Sequence, residues 1–129
     1  MSDSIRRLHS AVLATRDGVN PSPRTAKLFA KGRSSIAKKV AEEAVEVALD
    51  AVRGDSAGAV RESADLIYNL IVLWVDLGID PEEVWAEMCR REQLFGIAEK
   101  LPKSRAAAEP GAMSRVPAFE RPAPGARRR

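Results

Sequence analysis

Residues 62–77 read Glu-Ser-Ala-Asp-Leu-Ile-Tyr-Asn-Leu-Ile-Val-Leu-Trp-Val-Asp-Leu, and this stretch decides the fold. Between residues 66 and 75 only Asn69 interrupts the apolar run, and Gly78 follows as a helix stop signal. A helix that is apolar nearly all round is expected to be buried on most of its sides. The stretch therefore predicts a helical bundle with this helix at its centre.

Three polar side chains share one narrow stripe of this apolar helix: Glu62, Asp65 and Asn69. A carboxylate close to buried surface is unfavourable unless it is paired or binds a cation. An i,i+4 ion pair between Arg61 and Asp65 would explain one of the carboxylates structurally. A bound cation explains more of the stripe at once, and we favour it over the purely structural explanation.

A second acidic cluster precedes this stripe, with 15 residues between Glu46 and Glu62. Glu42, Glu43 and Glu46 share one face of a long predicted helix, a pattern that is also typical of a solvated surface with lysine–glutamate pairs. The opposite face carries Ile36, Val40, Ala44, Val47, Ala48 and Ala51, as an ordinary surface helix would. Two acidic faces turned towards each other would surround a hard divalent cation with oxygen ligands, as in a magnesium-dependent hydrolase of phosphate anhydrides.

Helical spacing and stop signals divide the chain into four or five helices. The expected spans are Ile5 to Ala14, Pro23 to Lys31, Ser34 or Ser35 to Arg53, Asp55 or Ser56 to Leu77, and Pro81 to about Phe95. The predicted fold is an all-α, four- to five-helix up-down bundle. Its central helix offers more apolar surface than a short chain covers, so we expect a homodimer or a higher helical homo-oligomer.

The composition changes after Leu101. Residues 1–101 carry 14 basic and 16 acidic residues, whereas residues 102–129 carry seven basic and two acidic ones. The second segment is a basic Pro/Ala/Arg-rich tail without apolar periodicity, and we expect it to be disordered. The first segment is the expected domain, and its charge of −2 gives no support to nucleic-acid binding.

The chain carries the features expected of a soluble cytoplasmic protein. Cys89 is the only cysteine, which excludes a disulfide framework and a thiolate zinc site. No apolar run is long enough to span a bilayer, and the first residues lack the pattern of a signal peptide. We expect no membrane partner.

Two regions carry a family resemblance, Ala26–Val47 and Glu62–Leu73. They resemble the phosphoribosyl-ATP pyrophosphatase family, which belongs to the MazG-like all-α NTP pyrophosphohydrolases. The superfamily signature is Glu-Glu-x-x-Glu followed downstream by Glu-x-x-Asp, and both halves are present here. The resemblance covers about residues 5–95 and implies a MazG-like bundle that dimerises through its helices.

The resemblance also implies a reaction, a cofactor and a set of site residues. The expected reaction is hydrolysis of the α–β phosphoanhydride of phosphoribosyl-ATP to phosphoribosyl-AMP and pyrophosphate, a step of histidine biosynthesis. Mg²⁺ is the expected cofactor, with Glu43, Glu46, Glu62 and Asp65 as its ligands. Glu42 and Glu43 are the catalytic candidates, and Glu42 is the expected outer-shell group or general base for the attacking water.

A basic cluster precedes the acidic motif and consists of Lys27, Lys31, Arg33, Lys38 and Lys39. Lys31 and Lys39 lie inside the family-like motifs, and we expect them to bind the phosphates of a nucleotide substrate. Asn69, on the acidic stripe, is the third expected substrate contact. Tyr68 is expected to lie in the core rather than to stack on a base.

Two positions depart from the family pattern. Ala41 stands where the family usually has glycine, and its methyl group could crowd a close helix contact. Asn69 stands where the family usually has histidine, and asparagine cannot become cationic near neutral pH. These departures leave open an enzyme of the same superfamily acting on another, non-standard or housekeeping nucleoside triphosphate. A third interpretation, from another class, is a non-catalytic helical interaction module whose basic tail binds an acidic partner.

Overall fold

The computed structural model describes residues 3–95, which form five α-helices and, within that range, no strand. The helices are α1 (Asp3–Arg16), α2 (Pro23–Lys31), α3 (Arg33–Arg53), α4 (Ser56–Leu77) and α5 (Pro81–Phe95). The all-α prediction is confirmed, whereas the predicted disordered tail lies outside the described residues. None of the helices in residues 3–95 combines the length and apolarity needed to cross a membrane.

Glycines end the two long helices as predicted. Gly54 and Gly78 adopt left-handed conformations, with φ of 74° and 73°, so their amides can bond back to the last turn of α3 and of α4. Asp55 then caps α4, because its side chain accepts a hydrogen bond of 2.8 Å from the Gly58 amide. Only Gly54 and Asp55 separate the two helices, so α3 and α4 form an antiparallel hairpin.

The predicted start of α3 at Ser34 or Ser35 is wrong. The helix begins at Arg33, directly after Gly32, and no side chain caps its first turn. Gly32 is the single residue between α2 and α3, and it has a φ of 90°. The chain reverses at this one glycine, which leaves no room for Ser34 or Ser35 to stand outside the helix.

The core is small and is centred on α4. Its fully buried apolar side chains are Val12 from α1, Ile36 from α3, and Ile71, Val72 and Val75 from α4. Burying each such side chain contributes about 1.5–3 kcal/mol relative to leaving it exposed. Helix α4 contacts α1, α2 and α3, as its apolar sequence predicts.

The face of α3 that packs on α4 combines residues of the acidic and of the apolar stripe. Ile36 and Glu43 are the buried residues of α3, and the Asp50 side chain is only 15% exposed. These three positions are seven residues apart, or about two turns each, so they lie on one line along the helix. Ala44, Ala48 and Ala51 are exposed instead. The boundary between the acidic and apolar stripes therefore faces α4, and the packing places carboxylates in the interface between the two long helices.

Candidate functional site

The α3–α4 hairpin brings together three carboxylates, those of Glu43, Glu62 and Asp65. One oxygen from each lies within 4.8 Å of the others. Glu43 and Asp65 stand 11 residues before and after Gly54, so the antiparallel helices place them side by side. Glu62 lies one helical turn closer to the connection. Three of the four predicted metal ligands thus converge, and we name these three the carboxylate cluster.

Burial and mutual repulsion act on the carboxylate cluster. Burial raises the pKa of Glu62, and the neighbouring Glu43 raises it further through a hydrogen bond and through its charge. The charges of Asp65 and Asp50 add to the effect. A cation among these groups would relieve the repulsion, because it favours the ionised form of each carboxylate. The all-oxygen donor set fits a hard divalent ion such as Mg²⁺.

Lys39 is the nearest lysine partner of the cluster. Its Nζ donates a hydrogen bond of 3.0 Å to Glu43 Oε1 and lies 3.8 Å from Glu42 Oε2. The hydrogen bond and the charge of Glu43 raise the pKa of Lys39. Lys39 therefore carries a positive charge at the edge of the carboxylate cluster, where a phosphate group could meet it.

A cleft of about 220 Å³ opens between α2 and α3 next to Lys39. Its lining residues are Leu28, Lys31, Ser35, Lys38, Lys39 and Glu42. The structure thus places both predicted phosphate ligands, Lys31 and Lys39, in one concave surface. Arg33, by contrast, donates a hydrogen bond of 2.6 Å to Asp76 and does not line this cleft. We call this surface the basic cleft.

Two of the predicted acidic residues lie outside the carboxylate cluster. Glu42 is exposed at the rim of the basic cleft, with ion pairs of 3.8 Å to both Lys38 and Lys39. Glu46 is exposed as well, and it lines a shallow surface together with Ala41. Because Ala41 is exposed, its methyl group does not crowd a helix contact among the described residues, 3–95.

Asn69 does not reach the basic cleft. Its relative exposure is 0%. Its Nδ2 donates a hydrogen bond of 2.8 Å to the backbone oxygen of Asp65, one turn earlier in α4. Within residues 3–95 no hydrogen bond reaches Asn69 Oδ1. The apolar packing around α4 buries this residue, so its visible contact is with the helix segment that carries Asp65.

Sequence reasoning missed three residues near the cluster. Asp50 was not included in the predicted site, although its spacing of seven from Glu43 puts it on the same face of α3. Arg24 and its neighbour Thr25 approach the cluster from α2. Arg24 Nη2 lies 3.7 Å from Asp65 Oδ1. The hydroxyl groups of Thr25 and Tyr68 form a hydrogen bond of 2.5 Å. No local pattern marks these two residues, because their positions depend on how α2 packs on α4.

Comparison with known proteins gives a consistent result. The profile of one protein family, described as phosphoribosyl-ATP pyrophosphohydrolase, matches residues 5–92. A Bradyrhizobium diazoefficiens protein named phosphoribosyl-ATP pyrophosphatase 2 is 62% identical over 104 residues, covering 81% of this chain and 78% of that protein. A protein of the same name from Rhodopseudomonas palustris is 61% identical over 105 residues, covering 81% and 80%. Phosphoribosyl-ATP pyrophosphatase of Azospirillum brasilense is 53% identical over 95 residues, covering 73% and 85%.

Proposed function

This chain belongs to the phosphoribosyl-ATP pyrophosphohydrolase family, and from that premise we propose that it hydrolyses phosphoribosyl-ATP to phosphoribosyl-AMP and pyrophosphate. The reaction is a step of histidine biosynthesis, and we keep the cytoplasm as its predicted compartment. The observation that carries the proposal is the carboxylate cluster beside the basic cleft. A triphosphate needs this pairing, because its oxygens require positive charge while a divalent cation requires carboxylates.

We propose Mg²⁺ as the cation, held by Glu43, Glu62 and Asp65. When bound, Mg²⁺ supplies charge neutralisation of phosphate oxygens and lowers the pKa of water. Glu46 is the proposed fourth ligand, and it would have to turn inward from its exposed position one turn along α3. Burial and the neighbouring carboxylates raise the pKa of Glu62, and this supports the assignment, because a cation in the cluster would favour the ionised form of each carboxylate.

The basic cleft has the complementary role of binding the phosphates. Lys31 and Lys39 face one another across the cleft from α2 and α3, and both can donate to phosphate oxygens. Glu42, at the rim between Lys38 and Lys39, is the proposed general base that orients or deprotonates the attacking water. Asn69, which is buried, is proposed to position the α4 segment around Asp65 rather than to touch substrate.

We also propose that the protein works as a helical homodimer. The side of α3 opposite Glu43 is an exposed apolar stripe made of Ala41, Val45, Ala48, Leu49 and Val52. Val52 is 87% exposed, and residues 3–95 leave this stripe exposed. Exposed apolar stripes of this kind commonly mark association surfaces, and a two-fold pairing of α3 would cover both copies at once. Sedimentation equilibrium of the wild type and of Val52→Glu tests this, because a monomeric wild type would contradict the dimer.

The proposed reaction is tested by chromatography of the products formed from phosphoribosyl-ATP, ATP, dCTP and dUTP with Mg²⁺. We expect phosphoribosyl-AMP and pyrophosphate from the first nucleotide and little turnover of the other three. A Glu43→Gln, Asp65→Asn double variant should lose this turnover. Preferential cleavage of dCTP or dUTP would instead favour a different nucleotide substrate, and no pyrophosphate from any of them would favour a non-catalytic helical module.

A further inference from the structure

Arg24 lies beside the carboxylate cluster, although no sequence motif marks it. Its Nη2 is 3.7 Å from Asp65 Oδ1, and its guanidinium carbon is 5.0 Å from the centre of the Tyr68 ring. Glu43 raises the pKa of Lys39, and the charge of Arg24 counteracts that shift. The two cations therefore lie near one another on the side of the cluster that the basic cleft adjoins.

The surface beneath Arg24 is held in place by a partly buried hydrogen bond. The Tyr68 hydroxyl is 2.5 Å from the hydroxyl of Thr25, whose relative exposure is 3%. Thr25 follows Arg24 directly in α2, so this bond ties the start of α2 to α4 beside Asp65. A cation over the face of a fixed aromatic ring is stabilised and restricted in orientation. Arg24 is thus directed towards the cluster by residues that are themselves well anchored.

The Arg24 guanidinium nevertheless keeps its hydrogen-bonding capacity. Its side chain is 63% exposed, and 3.7 Å is longer than a hydrogen bond. Among residues 3–95, the Arg24 side chain donates no hydrogen bond to another group. A guanidinium has five N–H donors in a planar fork that matches phosphate oxygens. An arginine kept only to tether two helices would be expected to use at least one of these donors.

Arg24 also continues the wall of the basic cleft. Arg24, Leu28 and Lys31 are spaced i, i+4 and i+7, so they lie on one face of α2. Leu28 and Lys31 line the cleft, and Arg24 stands at the end of that face next to Asp65. Lys31 and Arg24 therefore place positive charge along this face of α2, from the basic cleft to the carboxylate cluster.

We infer that Arg24 is a substrate-binding residue that exchanges partners: it neutralises Asp65 in the metal-free protein, and it binds phosphate oxygens of the nucleotide once the carboxylates hold a divalent cation. The charges support such an exchange. Three carboxylates face two side-chain cations, Lys39 and Arg24, in the metal-free site. When the carboxylates hold a divalent cation, Asp65 no longer needs the guanidinium, and Arg24 is then available to the phosphate oxygens of a polyphosphate. The inference rests on the proposed function and adds a phosphate contact to it.

Two measurements on Arg24→Gln test the exchange, because it predicts effects of opposite sign. Without nucleotide, Mn²⁺ binding followed by electron paramagnetic resonance should become up to about fivefold tighter, since the variant removes a solvent-exposed competitor for Asp65. With phosphoribosyl-ATP, KM should rise by about 10- to 100-fold, the range expected for losing a hydrogen bond to a charged group. Arg24→Lys, which keeps the charge but not the planar fork, should show an intermediate KM.

The matched control is Arg6→Gln. Arg6 is 60% exposed and forms an ion pair of 2.5 Å with Glu82 on another helix, away from the cluster. The Arg6→Gln substitution should leave both the Mn²⁺ affinity and KM within twofold of the wild type. If Arg24 had only a structural role, Arg24→Gln should bind Mn²⁺ more weakly and have a lower thermal midpoint. The inference would be overturned by an unchanged KM in Arg24→Gln, and equally by weaker Mn²⁺ binding.

Failure of the proposed function is a separate outcome. If the wild type does not hydrolyse phosphoribosyl-ATP, that function is rejected, and calorimetry with tripolyphosphate and Mn²⁺ still compares the two variants. Weaker tripolyphosphate binding by Arg24→Gln than by Arg6→Gln would then support the phosphate contact by itself, and equal binding would reject it.

Discussion

Replacing Glu43 with glutamine should separate the cation-binding role of the carboxylate cluster from its role in folding. Glu43 is the most buried member of the cluster, and its one lysine hydrogen bond comes from Lys39 at 3.0 Å. The substitution keeps the size of the side chain and removes its charge. We expect a metal-free protein of nearly wild-type stability that no longer responds to Mg²⁺.

The size of each effect follows from the contacts. Loss of the Lys39–Glu43 pair costs about 0.5–1 kcal/mol at most, because Lys39 is 41% exposed and solvent screens the charge. Removing the repulsion between Glu43 and Glu62 offsets part of this loss. The thermal midpoint without metal should therefore stay within about 5 °C of the wild type.

The response to Mg²⁺ should change much more. At a concentration one hundred times its Kd, a cation that binds only the folded state stabilises it by about 2.7 kcal/mol. For a domain of this size, that stabilisation raises the midpoint by about 10–20 °C. Changes to residues that only contact a metal ligand weaken metal binding by about 10- to 100-fold. Loss of a ligand's own charge should therefore weaken Mg²⁺ binding by at least about 100-fold. At the same Mg²⁺ concentration, the stabilisation then falls to about 0.4 kcal/mol or less.

Thermal melts with and without Mg²⁺ measure both effects, and Glu87→Gln is the matched control. Glu87 accepts a hydrogen bond of 2.8 Å from Arg91 at i,i+4, the same spacing as the Lys39–Glu43 pair, but it lies on α5. Glu87→Gln should keep the full Mg²⁺ response. The assignment of the cluster would be refuted if Glu43→Gln kept the wild-type response or if Glu87→Gln lost it.

Three further predictions concern the pH dependence and stability of the metal-free protein. The pKa of Glu62 is raised above its ordinary value of 4.5 in the folded state. Ionisation of this carboxyl group therefore destabilises the folded protein at pH values above about 4.5. Glu62→Gln should therefore raise the thermal midpoint near neutral pH, with the gain vanishing below about 4.5, where the carboxyl group is protonated in both states; melts at a series of pH values that show a gain independent of pH would contradict this. Thr25→Val, which leaves the Tyr68 hydroxyl without its partner, should lower the free energy of unfolding by about 1 kcal/mol in urea titrations, and an unchanged value would mean that the bond is not stabilising. Val72→Ala removes two buried methyl groups and should cost about 2–3 kcal/mol while leaving the midpoint shift caused by Mg²⁺ intact, whereas loss of that shift would show that the core and the cluster are coupled.

The helices could be predicted because their signals are local. The apolar run of α4 and the glycines at positions 54 and 78 act within a few residues of the chain, and Asp55 caps α4 as expected. Once two long helices are joined by two residues, their antiparallel pairing follows. That pairing is why the spacing of Glu43, Glu62 and Asp65 predicted a common site.

Other parts of the site could not be predicted, because they depend on packing between helices. The rotation of α3 about its axis could not be predicted from the sequence, since its acidic and apolar stripes were equally compatible with facing α4. In the structure, the boundary between the two stripes faces α4, so Glu43 is buried and Glu46 is exposed. The burial of Asn69 has the same origin, since only the neighbouring helices decide which side of α4 is enclosed.

The sequence by itself determined the helical architecture, the family and the pair of acidic motifs, because helix periodicity, helix stops and short connections are properties of neighbouring residues. Only the tertiary structure decided which carboxylates converge and which cations stand beside them. Lys39 is supplied by the same helix as Glu43, so its role could be inferred from i,i+4 spacing. Arg24 comes from a separate helix, and its approach to Asp65 depends on how α2 docks on α4 through Thr25 and Tyr68. Contacts of this kind join residues far apart in the chain, and no periodicity within a single helix encodes them.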